Sequence, residues 1–495
     1  MWLVFCRIVP TSSCNIHEFL VNKVKKAPLH WLTSTDSGII LNRFSQDMTL
    51  IDRSLPGEFL KTSNNFIQCV MSAAFICVGA KFMAPLILLS VFAIYWIQKF
   101  YLRTSRQLRH LDLESKSPLY TQFTETLNGI ITIRAFGWQH SFQEEYRKLL
   151  QESQKPYYFL FVVQRWLTLV LDLVVAGVAV MLAVLSVFVP NIGPVGVSLI
   201  SLITFNQQLA ELINFWTLME TSIGAITRVR SFEKVPTEDL PLENQDPPST
   251  WPSEGSIIFQ GADMAYKPGA SPILRQISLY IPPGSKLGIC GRTGSGKSSL
   301  ILALLRMVEV QSGDISIDGI SLQSCPRDTI RSRMTVIPQE PILFPGTIRE
   351  NIASFKAIDD DKVLGALEKV ELRDYVMAHG GLDARIYDLP LSAGQRQLIC
   401  LARAITMKQK ILLLDEATSL VDDETDRLMQ QVIRKEFSGC TIIVVAHRAH
   451  TLLDFDRIAV IDEGRVAEYD TPDVLLGNRA SIFGRLCDQT KSSLL

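Results

Sequence analysis

At 495 residues the chain has room for about three domains. Its 49 basic and 50 acidic side chains leave a formal net charge of −1, so there is no electrostatic case for a nucleic-acid partner. The mean hydropathy is positive, which points to membrane segments and away from a wholly soluble protein. The 9 cysteines are scattered without a C-x-x-C pair, which argues against a disulfide framework and a zinc site. The apolar start at 1–6 lacks a basic flank and does not read as a signal peptide.

Residues 1–58 are polar to amphipathic, with Lys23, Lys25, Lys26, Arg43 and Arg53. Residues 59–80 and 82–104 are apolar and long enough to cross a bilayer, although Lys61, Asn64 and Asn65 interrupt the first. Residues 105–156 are charged and helical in pattern. A second apolar pair follows at 157–189 and 195–219, joined by Pro190-Asn191-Ile192-Gly193-Pro194. The short joining loops hold one Lys, whereas the long segments hold many Lys and Arg. That bias puts 1–58, 105–156 and everything after 220 in the cytosol, with four spans in two hairpins. Gln207, Glu211 and Asn214 recur at i, i+4 and i+7 and share one helix face. Such a face either lines a polar path or belongs to a helix that has already left the bilayer. Residues 231–255 are rich in proline and charge and read as an extended tether with no core. From 256 to 476, Val/Ile-rich runs alternate with helical patterns, as in an α/β domain. The tail, 477–495, reads as an amphipathic helix that frays.

Gly291-Arg292-Thr293-Gly294-Ser295-Gly296-Lys297-Ser298 reads G-x-x-x-x-G-K-S between a short buried strand and a helix. That context is what a phosphate-binding loop requires. Its glycines let successive N–H groups turn inward around phosphate oxygens, and the helix N-terminus adds a favourable dipole. Lys297 is expected to reach the β- and γ-phosphates of ATP, and Ser298 to ligate Mg²⁺. Further on, Ile411-Leu412-Leu413-Leu414-Asp415-Glu416 is an apolar strand ending in two acids. A buried parallel strand delivers such carboxylates to the nucleotide crevice. Asp415 suits Mg²⁺ and Glu416 suits a general base for the attacking water. Leu391-Ser392-Ala393-Gly394-Gln395 opens another helix with Ser392 as N-cap, a second anion site. Two such helix ends on one chain suggest ATP held between two nucleotide domains.

With Gln339 in Val336-Ile337-Pro338-Gln339-Glu340, Ser419-Leu420-Val421-Asp422 and Ala446-His447-Arg448 in the same order, the chain resembles an exporter-type ABC transporter along nearly its whole length. In finer detail it resembles the C-terminal half of fungal subfamily C (multidrug-resistance-associated) transporters. Arg331-Ser332-Arg333, Phe205-Asn206-Gln207 and Met219-Glu220-Thr221-Ser222-Ile223 carry that likeness. The resemblance implies a partial α-helical transmembrane bundle at 1–230, a linker at 231–255, an α/β P-loop ATPase domain of ABC type at 256–476, and a tail. It implies that Tyr266 stacks on adenine. Gly291 to Ser298 and Ser299 would bind the phosphates, and Gln339 would contact Mg²⁺ and the attacking water. His447 would contact the γ-phosphate and Asp422 would shape a dimer interface. Ser392, Gly394 and Gln395 would face the ATP of a partner domain. The partner is a second ABC half: a missing N-terminal half, a homodimer mate or another half-transporter.

The implied activity is ATP-hydrolysis-driven export of small amphipathic organic molecules, with the plasma membrane ahead of the vacuole as its place. The alternatives are an ATP-gated regulator or channel, or a non-functional fragment. Three departures stand out: Ala393 replaces the middle glycine of LSGGQ, SLVD replaces SALD, and four spans are found where the family has six per half. The first two spans and the whole N-terminal half are therefore expected to be missing.

Overall fold

A computed structural model describes residues 2–79, 84–188, 195–238, 246–353, 358–418, 421–446, 449–478 and 480–492. The chain folds as two compact units. One is Met1–Lys25 with Asp36–Val235; the other is Lys26–Thr35 with Pro236–Leu495.

The first unit is helical throughout its described residues. After α1 (Val9–Lys25), its long helices are α2 (Leu55–Gly79), α3 (Ala84–Asn128), α4 (Gln139–Phe188) and α5 (Val195–Arg230). These run well past the apolar stretches: α3 has 45 residues and α4 has 50. The charged segment 105–156 is thus the continuation of two membrane-region helices. They break at Gly129, the short helix Ile130–Ala135 and Gly137, whose φ is +70°. Helix α2 lies antiparallel against α5, and polar pairs recur along the seam. Ser222 Oγ donates to Glu58 Oε2 (2.7 Å), Asn65 Nδ2 to Glu211 Oε2 (3.3 Å) and Ser72 Oγ to Gln208 Oε1 (2.8 Å). Glu211 is therefore paired on one side, while Gln207 and Asn214 on its face are exposed. Tyr101, Leu167, Leu171 and Ile213 bury one another between α3, α4 and α5.

By contrast, Phe92, Trp96, Phe100, Phe159, Leu169, Leu173 and Val180 are exposed, an outward apolar surface suited to hydrocarbon. Of the four expected spans, the described residues give one segment, Gln139–Met181 in α4, that is long and apolar enough to cross a membrane. Residues 80–83 and 189–194, where the joining loops were expected, lie outside the described residues. At the other end of the bundle, Asp47 is buried and accepts from Arg43 Nη1 (2.9 Å) and Arg228 Nε (3.1 Å).

The second unit contains two sheets. The antiparallel one has the order β2 (Leu274–Ile281), β1 (Ile257–Ala265), β4 (Glu309–Ile317), β5 (Ile320–Ser321). The other has the order β10 (Arg465–Asp470), β9 (Arg457–Asp462), β3 (Lys286–Cys290), β8 (Thr441–Val445), β7 (Ile411–Asp415), β6 (Met334–Ile337). All its pairings are parallel except β9 with β10. β3, β7 and β8 read as continuous apolar runs because helices and the other sheet cover both their faces.

Two expectations need correction. The linker is not an uncored tether. Trp251 is 4% exposed, lies in the core between the sheets, and donates Nε1–H to Ile317 O at 2.9 Å. Asp318 accepts from the amides of Gly255 (2.9 Å) and Ser256 (2.8 Å), and Arg333 Nη1 donates to Pro248 O (2.7 Å). Glu238 forms a forked pair with Arg331 (2.8 and 3.2 Å). Proline content reports backbone stiffness; a single Trp and a single Glu decide docking. Nor does the tail fray over its described length. The helix Ile482–Ser492 buries Phe483 and Cys487, and Glu468 accepts from the amides of Ile482 (2.7 Å) and Phe483 (3.2 Å) at its start.

Candidate nucleotide site

The carboxyl ends of the parallel strands converge on one edge of the sheet, where α/β proteins bind ligands. β3 ends in the glycine loop. Gly291 takes φ +149°, and a Cβ there would lie 2.1 Å from Ile461 O. Gly296 takes φ +105° immediately before the helix Lys297–Leu304. The loop exposes Arg292, Thr293 and Gly294 and buries Lys297, which is 5% exposed. Lys297 Nζ donates to the carbonyls of Gly291 (3.1 Å) and Arg292 (3.0 Å), so its ammonium closes the loop from inside. Burial pushes its pKa below the usual lysine range, against the opposing pull of Glu416, Cys290 and Asp415. Ser295 Oγ is buried in the same cradle without a hydrogen-bond partner. An unmet donor at a glycine loop before a helix start suits a phosphate ligand.

Ser298 Oγ donates to Asp415 Oδ1 at 2.8 Å, joining the phosphate loop to the end of β7. Glu416, the next residue, adopts φ +49° and donates its amide to Val445 O (3.0 Å). Left-handed backbone at a non-glycine residue is costly and concentrates at functional sites. Gln339 follows β6, the neighbour of β7, and its Nε2 donates to Glu416 Oε2 at 2.9 Å. Ser298, Asp415, Gln339 and Glu416 are thus one connected group built from three strand ends. Its oxygen donors (a hydroxyl, a carboxylate and a side-chain amide) fit the hard, oxygen-seeking character of Mg²⁺. Tyr266 is 37% exposed, and its hydroxyl lies 3.0 Å from Ser299 Oγ, fixing the ring beside the loop. His447, like Ser419 and Leu420, lies outside the described residues.

The signature segment is placed differently. Ser392 caps the helix Ala393–Met407 through a reciprocal box: Gln395 N donates to Ser392 Oγ (3.1 Å) and Ser392 N to Gln395 Oε1 (2.9 Å). Both side chains are thereby turned toward each other across the start of the helix. Gly394 lies against the next helix, where a Cβ would meet Thr425 Oγ1 at 3.1 Å and Asp422 Oδ1 at 3.4 Å. Asp422 caps the helix Asp423–Glu436. Its bonds from Thr425 N (3.1 Å) and Thr425 Oγ1 (2.8 Å) hold its carboxyl below the usual carboxylate range. Sequence reading missed the scaffold of the loop after Gln339. Asn351 is buried, donates to Phe344 O (2.9 Å) and Thr347 O (3.0 Å), and in turn holds Arg403 Nε on its carbonyl (2.8 Å). Its sequence signal was weak: an Asn in the short mixed helix Ile348–Ala353.

A phosphate loop on a parallel sheet, a strand-end acid pair and a second capped helix define a nucleotide-binding domain of the P-loop class, fused to a helical membrane region. Residues 274–419 match the ABC transporter family model and residues 4–213 match the ABC transporter transmembrane region. The chain belongs to the ABC transporter family and carries both its membrane region and its nucleotide-binding domain. It is 47% identical to ABC multidrug transporter B of Aspergillus fumigatus over 98% of this chain and 34% of that relative. It is 39% identical to Metal resistance protein YCF1 of Saccharomyces cerevisiae over 98% of this chain and 33% of that protein. The chain spans about a third of the length of the curated relatives it matches. In fold it is similar to a bacterial Atm1-family ABC exporter solved with ATP bound, with a TM-score of 0.81 at 22% identity over 99% of this chain and 86% of that one.

Proposed function

We propose that this chain binds and hydrolyses ATP and couples hydrolysis to the export of small amphipathic organic molecules across a membrane. The observation that carries the reading is the bond from Gln339 to Glu416 beside the Ser298–Asp415 pair, because it assembles a base, its orienting amide and a hydroxyl–carboxylate pair at one loop. In this reading the loop amides of 291–298 and Lys297 hold the phosphates, and Tyr266 supports the base. Ser298, Asp415 and Gln339 would hold Mg²⁺, which when bound neutralises phosphate charge. Glu416 orients a water and takes its proton, while Gln339 fixes the carboxylate. Ser392, Gly394 and Gln395 face the ATP of a second nucleotide domain, whether in the same polypeptide or another. His447 completes the γ-phosphate contacts. The domain bounds of 1–230, 231–255, 256–476 and 477–495 are part of the proposal, as are four spans with the nucleotide domain in the cytosol.

Names such as multidrug transporter among the relatives support an organic cargo, and a plasma-membrane location is the first one to test. The intact acid–amide pair favours turnover over gating. The deciding measurement is ATP hydrolysis and ATP binding by Glu416→Gln in membranes. The expected result is no turnover with binding retained. Turnover at the unsubstituted rate would remove Glu416 from the base role.

A further inference from the structure

We infer that Gln397 is a positioning residue that sets Gln339, and through it Glu416, from inside the helix capped by Ser392. Gln397 is 1% exposed, on a helix whose Leu398 and Leu401 are buried with it. A primary amide at such a site is costly unless bonded. Its Nε2 donates to Pro338 O at 3.0 Å, the carbonyl immediately before Gln339. The β6–β7 ladder ends at Ile337 opposite Leu414, and Pro338 has no N–H to extend it. Past that last ladder pair, the carbonyl of the peptide from which Gln339 departs is held by the Gln397 amide. One connection runs from the Ser392-capped helix through Gln397 and the Pro338 carbonyl to Gln339, then to Glu416 Oε2 at 2.9 Å.

A second observation separates this from packing. Gln397 Oε1 is buried without a hydrogen-bond partner. An unmet buried acceptor is a standing cost that Met, of similar volume, would not carry. A residue kept only for stability would not be a glutamine here. Its donor, aimed at one carbonyl of the catalytic loop, accounts for it.

The inference rests on Gln339 serving Glu416, as proposed above. The test is ATPase kinetics of the whole protein in membranes for Gln397→Met, alone and in a Gln339→Ala background. Alone, kcat falls about tenfold, the rate equivalent of one lost hydrogen bond. KM for ATP stays within about twofold, and thermal stability is unchanged or raised. In the Gln339→Ala background the same change produces no further loss. Gln397→Leu likewise offers no donor to Pro338 O and loses a similar share of kcat. The same fold-loss in both backgrounds, a raised KM with lowered stability, or normal kcat in either variant would overturn the inference. If Glu416→Gln retains turnover while Gln397→Met loses it only when Gln339 is present, the base assignment fails and the positioning role stands.

Discussion

Gly291→Ala is the substitution whose consequence the structure states most sharply. The residue sits at φ +149°, and an added Cβ would stand 2.1 Å from Ile461 O and 3.0 Å from Ser295 Oγ. Ile461 is a β9 residue paired to β10, so that carbonyl is backbone in a sheet and cannot swing aside like a side-chain tip. The left-handed backbone costs an alanine about 1–2 kcal/mol, and forcing a methyl into a packed strand contact adds about 1–3 kcal/mol. Together the loss of stability is about 2–5 kcal/mol. Gly294→Ala is the internal control. Gly294 has φ +84°, but nothing lies within 4 Å of its Cβ position, so only the conformational part applies, about 1–2 kcal/mol. Denaturant or thermal unfolding of the two variants, followed by ATP titration, measures the difference. Gly291→Ala should be clearly the less stable, and its ATP affinity should fall because the loop must move to relieve the contact. Equal stability of the two variants would show that the β3–β9 contact is not what demands glycine at 291.

Lys297→Ala should weaken ATP binding by at least about tenfold, the loss of one charge-assisted contact, and a nucleotide-binding isotherm checks it. Trp251→Ala should cost about 3–5 kcal/mol, because it empties a core site and leaves Ile317 O without its indole donor; wild-type-like unfolding would return the linker to a loose tether. Burial pushes the Cys290 thiol up to about 12. Raised above the ordinary thiol range, it stays protonated at pH 8, so a maleimide should label exposed Cys6 and Cys14 while sparing Cys290 until the protein unfolds. Mass spectrometry of the labelled peptides would decide it.

The motif residues were legible from sequence because each is short-range chemistry. Glycines at fixed offsets before Lys297-Ser298, two acids closing an apolar strand, and Ser392 three residues before Gln395 each specify a local geometry. The structure bears out the α/β class and the long helices, whose 3.6-residue patterning is equally local. The lengths of those helices were not legible, since α3 and α4 join apolar to charged sequence and continue through Pro118 and Pro156, where local propensity would place a break. The docked linker was missed as well, because Glu238 meets Arg331 across 93 positions and Trp251 meets Ile317 across 66.

What the sequence alone determined is the inventory of the nucleotide site and the order in which its parts arrive. Which parts touch was settled by strand order. Gln339 bonds Glu416 because β6 lies beside β7 in the sheet, although 77 positions separate them in the chain. Gln397 reaches Pro338 because the capped helix packs over that same strand end. Local propensity specifies a turn or a cap, but side-chain partners come from packing, and parallel strands are joined only by long crossovers. Their neighbours are therefore fixed by the tertiary fold.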